Sequence, residues 1–198
     1  MGIDDLEHGI AFVEERTGLH AAFGGVHPGR GTRNALLKLG TRRYLEIIAP
    51  DPNQATLVGY PELREMHEPH LLTWAVHTND IETLAKRAAS AGLAIEGPSE
   101  GSRARPDGKI LHWKTLNPKD NRAGLLPFFI EWSRDSVHPS LDAPEGCQLV
   151  AFSISSPAPN EPRAFFDRLK ISVRIERGER PRLRARIATA KGALELFS

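Results

Sequence analysis

Apolar residues recur along the chain in two periods, and the alternation between those periods itself repeats. Helical spacing begins after Asp4, where Leu6, Ile10 and Val13 fall on one stripe, after Asn79, with Ile81, Leu84, Ala85 and Ala88, and after Asn160, with Phe165, Phe166 and Leu169. Each Asx side chain can accept from an orphan N–H of the first turn, and Glu7 and Glu82 stand where a reciprocal cap is favoured. The first two helices are expected to stop at Thr17-Gly18 and Ala91-Gly92, because glycine adopts the left-handed conformation that closes a helix. Branched and aromatic residues predict a strand over 71–78 before the second helix and another over 149–155 before the third. After each helix come strand-like runs separated by turn residues. Each set closes on a strand holding one acid among apolar neighbours: Glu46 in 44–48, Glu131 in 128–132 and Glu195 in 193–197.

The repeating unit is therefore a strand, a helix and about three strands, which predicts an α+β fold of βαβββ modules. A first module spans residues 4–52 and lacks its opening strand, a second spans 70–132, and a third, diverged one spans 148–198. The proline-rich stretch 133–147 reads as the linker before the third module. An absent opening strand leaves an exposed edge or a slot that a second copy could fill, which makes a homodimer the expected assembly.

Composition narrows the classes. With 40% apolar and 26% charged residues and a net charge near +1, the chain has neither the basic bias of a nucleic-acid binder nor the charge excess of a disordered one. Cys147 is the only cysteine, so no internal disulfide or thiolate zinc cage can form, and a lone thiol suits a reducing compartment. No apolar run reaches the length of a bilayer span and no signal core follows Met1. A cytoplasmic protein with no membrane partner is expected.

Candidate chemistry centres on the closing strands. Alternation puts Glu46 on the face of Tyr44 and Ile48, and Glu131 on the face of Phe129, where a carboxylate needs a metal, an arginine, a hydrogen-bond set or a proton-transfer role to stay charged. Solvent exposure, or pairing with Arg33, Arg43 or Arg103, would serve equally. The run from Gly24 to Asn34 lacks the lysine of a phosphate loop, but its glycines permit close backbone approach while His27, Arg30 and Arg33 offer donors to a carboxylate or carbonyl. A hairpin whose polar groups satisfy its own turns is the alternative. Trp74, Trp113 and Trp132 could wall a pocket or simply fill the core.

Taken together, Gly24 to Gly40, Arg43 to Pro52, Leu72 to Ile81, Gly101 to Gly108, Leu126 to Trp132 and His138-Pro139-Ser140 resemble the glyoxalase-like domain family of the vicinal oxygen chelate superfamily. The resemblance covers Asp4 to Ser140 well and the third module loosely. It implies paired modules whose curved mixed sheets surround a cleft, and a small carbonyl- or oxygen-containing ligand. In metal-using relatives of the superfamily, opening and closing strands supply the ligands. By position Glu46 and Glu131 would be catalytic and would hold a divalent metal, an incomplete set because the second opening strand offers Thr73, Trp74 or Ala75 where a histidine is expected. His27, Arg33, Asn34, Trp74, Arg103 and Trp113 would bind substrate. A lyase, isomerase or dioxygenase activity is implied, and non-catalytic sequestration of a small molecule on the same fold is the alternative.

Overall fold

The computed structural model describes residues 1–198. Helix α1 (Leu6–Thr17) is followed by strands β1 (Ala22–His27), β2 (Thr32–Lys38) and β3 (Tyr44–Pro50), paired antiparallel in the order β1-β2-β3. After a short 3-10 turn (Pro61–Glu65) come β4 (Ala75–His77), α2 (Ile81–Ser90), β5 (Ile95–Ala104), β6 (Ile110–Pro118) and β7 (Phe128–Trp132), whose sheet runs β4-β7-β6-β5 with β4 parallel to β7. A second 3-10 turn (Pro139–Leu141) leads to β8 (Gln148–Ser156), α3 (Asn160–Leu169), β9 (Arg174–Arg177), β10 (Arg182–Thr189) and β11 (Gly192–Phe197). This is the α+β architecture of repeated βαβββ units that the sequence pattern predicts. None of the helices is long and apolar enough to cross a membrane.

The caps of the first two helices lie one residue beyond those predicted, and that of the third lies one residue before. Asp5, in extended conformation, accepts from His8 N at 3.0 Å, whereas Asp4 is taken up by His67 at 2.6 Å. Asp80 rather than Asn79 accepts from Thr83 N at 2.9 Å, and Asn160 is already the first helical residue of α3. Gly18 and Gly92 close α1 and α2 with positive φ, as expected. The predicted strand over 71–78 contracts to β4, since residues 71–74 form no ladder.

No full strand precedes α1, yet the position beside β3 is not open. Gly2 bridges Ile48 in parallel and His70 antiparallel, with Ile3 N donating to Ile48 O at 3.1 Å and Gly2 N to His70 O at 2.8 Å. The slot inferred from the sequence is filled by residues of the same chain, so that edge calls for no second copy.

The third sheet departs from the second. Its order is β11-β10-β8-β9, so the opening strand β8 lies inside the sheet, parallel to β9 and antiparallel to β10, instead of flanking the closing strand. The vacant side of β11 is approached by the chain after His70, where Leu71 N donates to Phe197 O at 2.8 Å.

The helix-facing sides of the sheets build the core. On β3, Leu45, Ile47 and Ala49 are buried beneath α1, and Ala35 and Leu37 of β2 join Leu6, Ile10 and Val13 in a cluster that continues into Ile154, Phe166, Leu183, Ile187 and Leu196 of the third module. A second cluster joins Ile81, Leu84 and Ala88 of α2 to Leu116, Phe129 and Leu169. The third module thus shares cores with both others, and 133–147 is less a free linker than a folded strap.

Candidate functional site

The opposite faces of the first two sheets, closed at one end by β8 and β10, enclose a cavity of about 640 Å³. Period-two alternation decides what reaches it. From β2 it receives Thr32, Asn34 and Leu36; from β3, Tyr44, Glu46 and Ile48; from β7, Phe128, Ile130 and Trp132.

Glu46 lies at the centre of its polar patch. The Asn34 amide Nδ2 donates to Glu46 Oε1 and reaches His27 Nε2 at 3.4 Å. An amide N–H₂ can only donate, so Nε2 of His27 accepts, and its Nδ1–H donates to Thr32 Oγ1 at 2.9 Å. Burial holds the His27 pKa below the ordinary imidazole range despite Glu46, whose Oε1 is 3.8 Å away, and Arg103 and Arg30 lower it further. His27 is a neutral ring beside a carboxylate.

Arg103 of β5 reaches across to this patch. It is 4% exposed, its Nη1 is buried without a hydrogen-bond partner, and burial lowers its pKa while Glu46 and Tyr44 oppose the shift. Its guanidinium lies against the backbone of β1 because residues 24 and 25 are glycines. A Cβ on Gly24 would come 2.8 Å from Nη1 and collide with Asn34 Oδ1, and one on Gly25 would come 2.9 Å from Nη1. Asn34 Oδ1 is likewise buried and unpartnered. A donor and an acceptor without protein partners at one site are unusual in a folded interior, where most buried polar groups are paired.

The rest of the cavity is aromatic. Trp113 and Trp132 stand with ring centroids 5.2 Å apart, and His138 packs edge-on against Trp132 at 5.9 Å and Tyr44 at 5.7 Å. Burial, followed by Glu46, raises the Tyr44 pKa well above the usual phenol range, so its hydroxyl stays protonated. Trp74 lines the cavity too, but its Nε1 donates to Leu125 O at 3.1 Å and its ring packs on Phe152 at 5.0 Å, tying the wall to the third module. Arg42 donates to His77 Nε2 at 2.9 Å at the cleft margin.

The structure therefore brings together His27, Asn34, Glu46, Trp74, Arg103 and Trp113, and separates two expected members. Glu131 does not face the cavity: it projects with Phe129 toward α2, where its Oε2 accepts from Ile81 N at 2.7 Å. Arg33 lies between Thr32 and Asn34 on the helix-facing side of β2, near Asp51. In both cases one step along a strand exchanges faces.

The carboxylate pair expected to hold a divalent metal is not formed, and no three His, Cys, Asp or Glu side chains gather as a metal-binding group. Within the cleft, Glu46 Oε1 and His27 Nε2 already accept from Asn34. The donor set does not fit a metal centre. Arg30, expected as a donor, and Tyr44, expected on the face of Glu46, line the cavity as well, whereas Tyr60 and His138 were not anticipated there. Only His138 had a signal, in the His-Pro-Ser run, and the linker reading concealed it.

The sequence profile described as a glyoxalase-like domain matches residues 1–170. Among solved structures, a hypothetical protein from Staphylococcus aureus superposes with a TM-score of 0.61 at 17% identity, covering 89% of this chain and 75% of that one. A methylmalonyl-CoA epimerase from Mycobacterium tuberculosis gives a TM-score of 0.46 at 19% identity, covering 67% and 83%. A fusion of a xylose isomerase-like TIM barrel with 4-hydroxyphenylpyruvate dioxygenase gives 0.48 at 16%, covering 98% of this chain and 31% of that one. Among curated proteins there is no match.

Proposed function

Because the chain belongs to the glyoxalase-like domain family, we propose that it is an enzyme acting on a small carbonyl compound, with Glu46 as the base that moves a proton on the carbon next to the carbonyl. The carboxylate takes the proton, the C–H electron pair forms a C=C bond, and the carbonyl oxygen becomes an enolate oxygen. Return of the proton to the same or another atom completes an isomerisation or epimerisation, with no net redox change. Asn34 holds the carboxylate in place, and Arg103 supplies a cation for the developing oxyanion or for a carboxylate of the substrate. The observation that carries this reading is the environment of Glu46: a cavity-facing carboxylate beside a neutral His27 and a guanidinium without a protein partner.

Exchange of solvent deuterium into the α-carbon of small 2-oxo acids and aldehydes, followed by proton NMR, tests it. Exchange by the unaltered chain and its loss in Glu46→Gln is the expected result. Equal rates for the two, or no exchange with any of these compounds, would overturn the proposal.

The Trp113–Trp132 pair favours a second reading, sequestration of an aromatic molecule without turnover. In that case Trp113→Ala abolishes binding while Glu46→Gln leaves it unchanged.

A further inference from the structure

His138 lies in the strap between the second and third modules, outside every strand, yet it lines the cavity and is 6% exposed. Its Nδ1 faces the 3-10 turn it caps: Ser140 N donates to it at 3.2 Å, and Ser140 Oγ is 2.9 Å away. A backbone N–H cannot accept, so Nδ1 must be the unprotonated nitrogen, and the single ring hydrogen of the neutral imidazole resides on Nε2. Ser140 is itself 1% exposed, which keeps water from competing for that contact. Tyr44 and Trp132, packed edge-on on the ring, fix its plane. No side chain of the protein hydrogen-bonds to Nε2.

The charged surroundings preserve the neutral state. Burial comes first, then Arg42 from the turn before β3 and His77 from β4, and together they push the pKa down to about 4 with no carboxylate offsetting them. A ring with one fixed N–H and no charge is a directional donor. It favours a carbonyl, carboxylate or enolate oxygen and disfavours an ammonium or any group that must itself donate.

We infer that His138 is the hydrogen-bond donor for an unprotonated oxygen of the ligand at the aromatic end of the cleft, held in the Nε2–H tautomer by Ser140. This rests on the cleft being the ligand site, as proposed above, but not on Glu46 acting as a base. His138 is a binding residue for the ligand oxygen, and Ser140, which acts through it, is a positioning residue.

Long-range proton–nitrogen NMR on the unaltered chain reads the tautomer directly, and oxamate, an unreactive analogue of a 2-oxo acid, serves as the probe. His138 is expected as the Nε2–H tautomer from about pH 5 to 8, with the Nε2 proton moving downfield when oxamate is added. Oxamate affinity should fall roughly tenfold in His138→Phe, which keeps a ring without the donor, and be largely restored in His138→Gln, whose amide can place an N–H near the same point. A protonated or Nδ1–H His138 in this range, no oxamate binding, or unaltered affinity in His138→Phe would overturn the inference. Oxamate binding that depends on His138 without any α-proton exchange would remove the base role of Glu46 and leave the donor standing. Exchange with unchanged oxamate affinity in His138→Phe would do the reverse.

Discussion

Glu46 and Glu131 occupy equivalent strands of successive modules, each flanked by apolar residues, and they do different work. Glu46 shares the face of Tyr44 and Ile48 and points into the cleft, where the Asn34 amide donates to it beside His27. Glu131 shares the face of Phe129 and points beneath α2, where it accepts from Ile81 N and complements the positive end of the helix. Within β7 the cavity positions are Phe128, Ile130 and Trp132, so the acid is displaced by one residue from the place Glu46 holds in β3. Equivalent location in a repeat therefore fixes the strand, while a single step of register fixes the chemistry.

Paired substitutions test that contrast most strongly. Glu46→Gln should lower α-proton exchange by on the order of 10³-fold, the usual worth of a positioned base, and Glu131→Gln should leave it within about twofold of the parent. Equal losses in the two variants would erase the distinction. Next in size is Gly24→Ala, whose methyl group would meet Asn34 Oδ1 and Arg103 Nη1. It is expected to destabilise the fold by about 1–3 kcal/mol in denaturant titration and to weaken oxamate binding, because both groups that must yield belong to the site.

Acid distinguishes the cleft as well. The pKa values of His27 and His138 are lowered on folding, the latter to about 4, so between their unfolded and folded values the unfolded chain binds more protons. Their contribution is present above the ordinary imidazole value of about 6.5 and fades as pH falls through that value toward about 4. Thermal denaturation should show stability declining over this interval by roughly 2–3 kcal/mol, and the decline should shrink in His138→Phe. The smallest effect is on the other side of the sheet: Glu131→Ala should cost about 1 kcal/mol in stability through the lost acceptor at the start of α2, with oxamate affinity unchanged.

The elements were legible where local chemistry decides. Gly18 and Gly92 mark helix ends because positive φ is a property of the residue itself, and the closing strand over 128–132 is visible from its run of aromatic and branched side chains. The first helix begins one residue late because His67, sixty-three positions away, engages Asp4. The site was legible in part: Asn34, Glu46 and Arg103 were recognised as a chemical type, and Glu131 and Arg33 were misplaced because the sequence alone does not settle which face of a strand meets a helix. The alternation already placed Glu131 with Phe129; the missing fact was that Phe129 belongs to the α2 core. His138 was concealed differently. Its strap has no periodicity, and its position depends on contacts with Tyr44 and Trp132 that arise only when two modules close on one another.

The bond from Leu71 N to Phe197 O joins the threshold of the second module to the last strand of the chain. With apolar side chains of the first and third modules interleaved behind it, the repeat is a unit of pattern and not of melting: loosening any one module bares the oily backs of its companions, and heat should take all three apart in a single cooperative event.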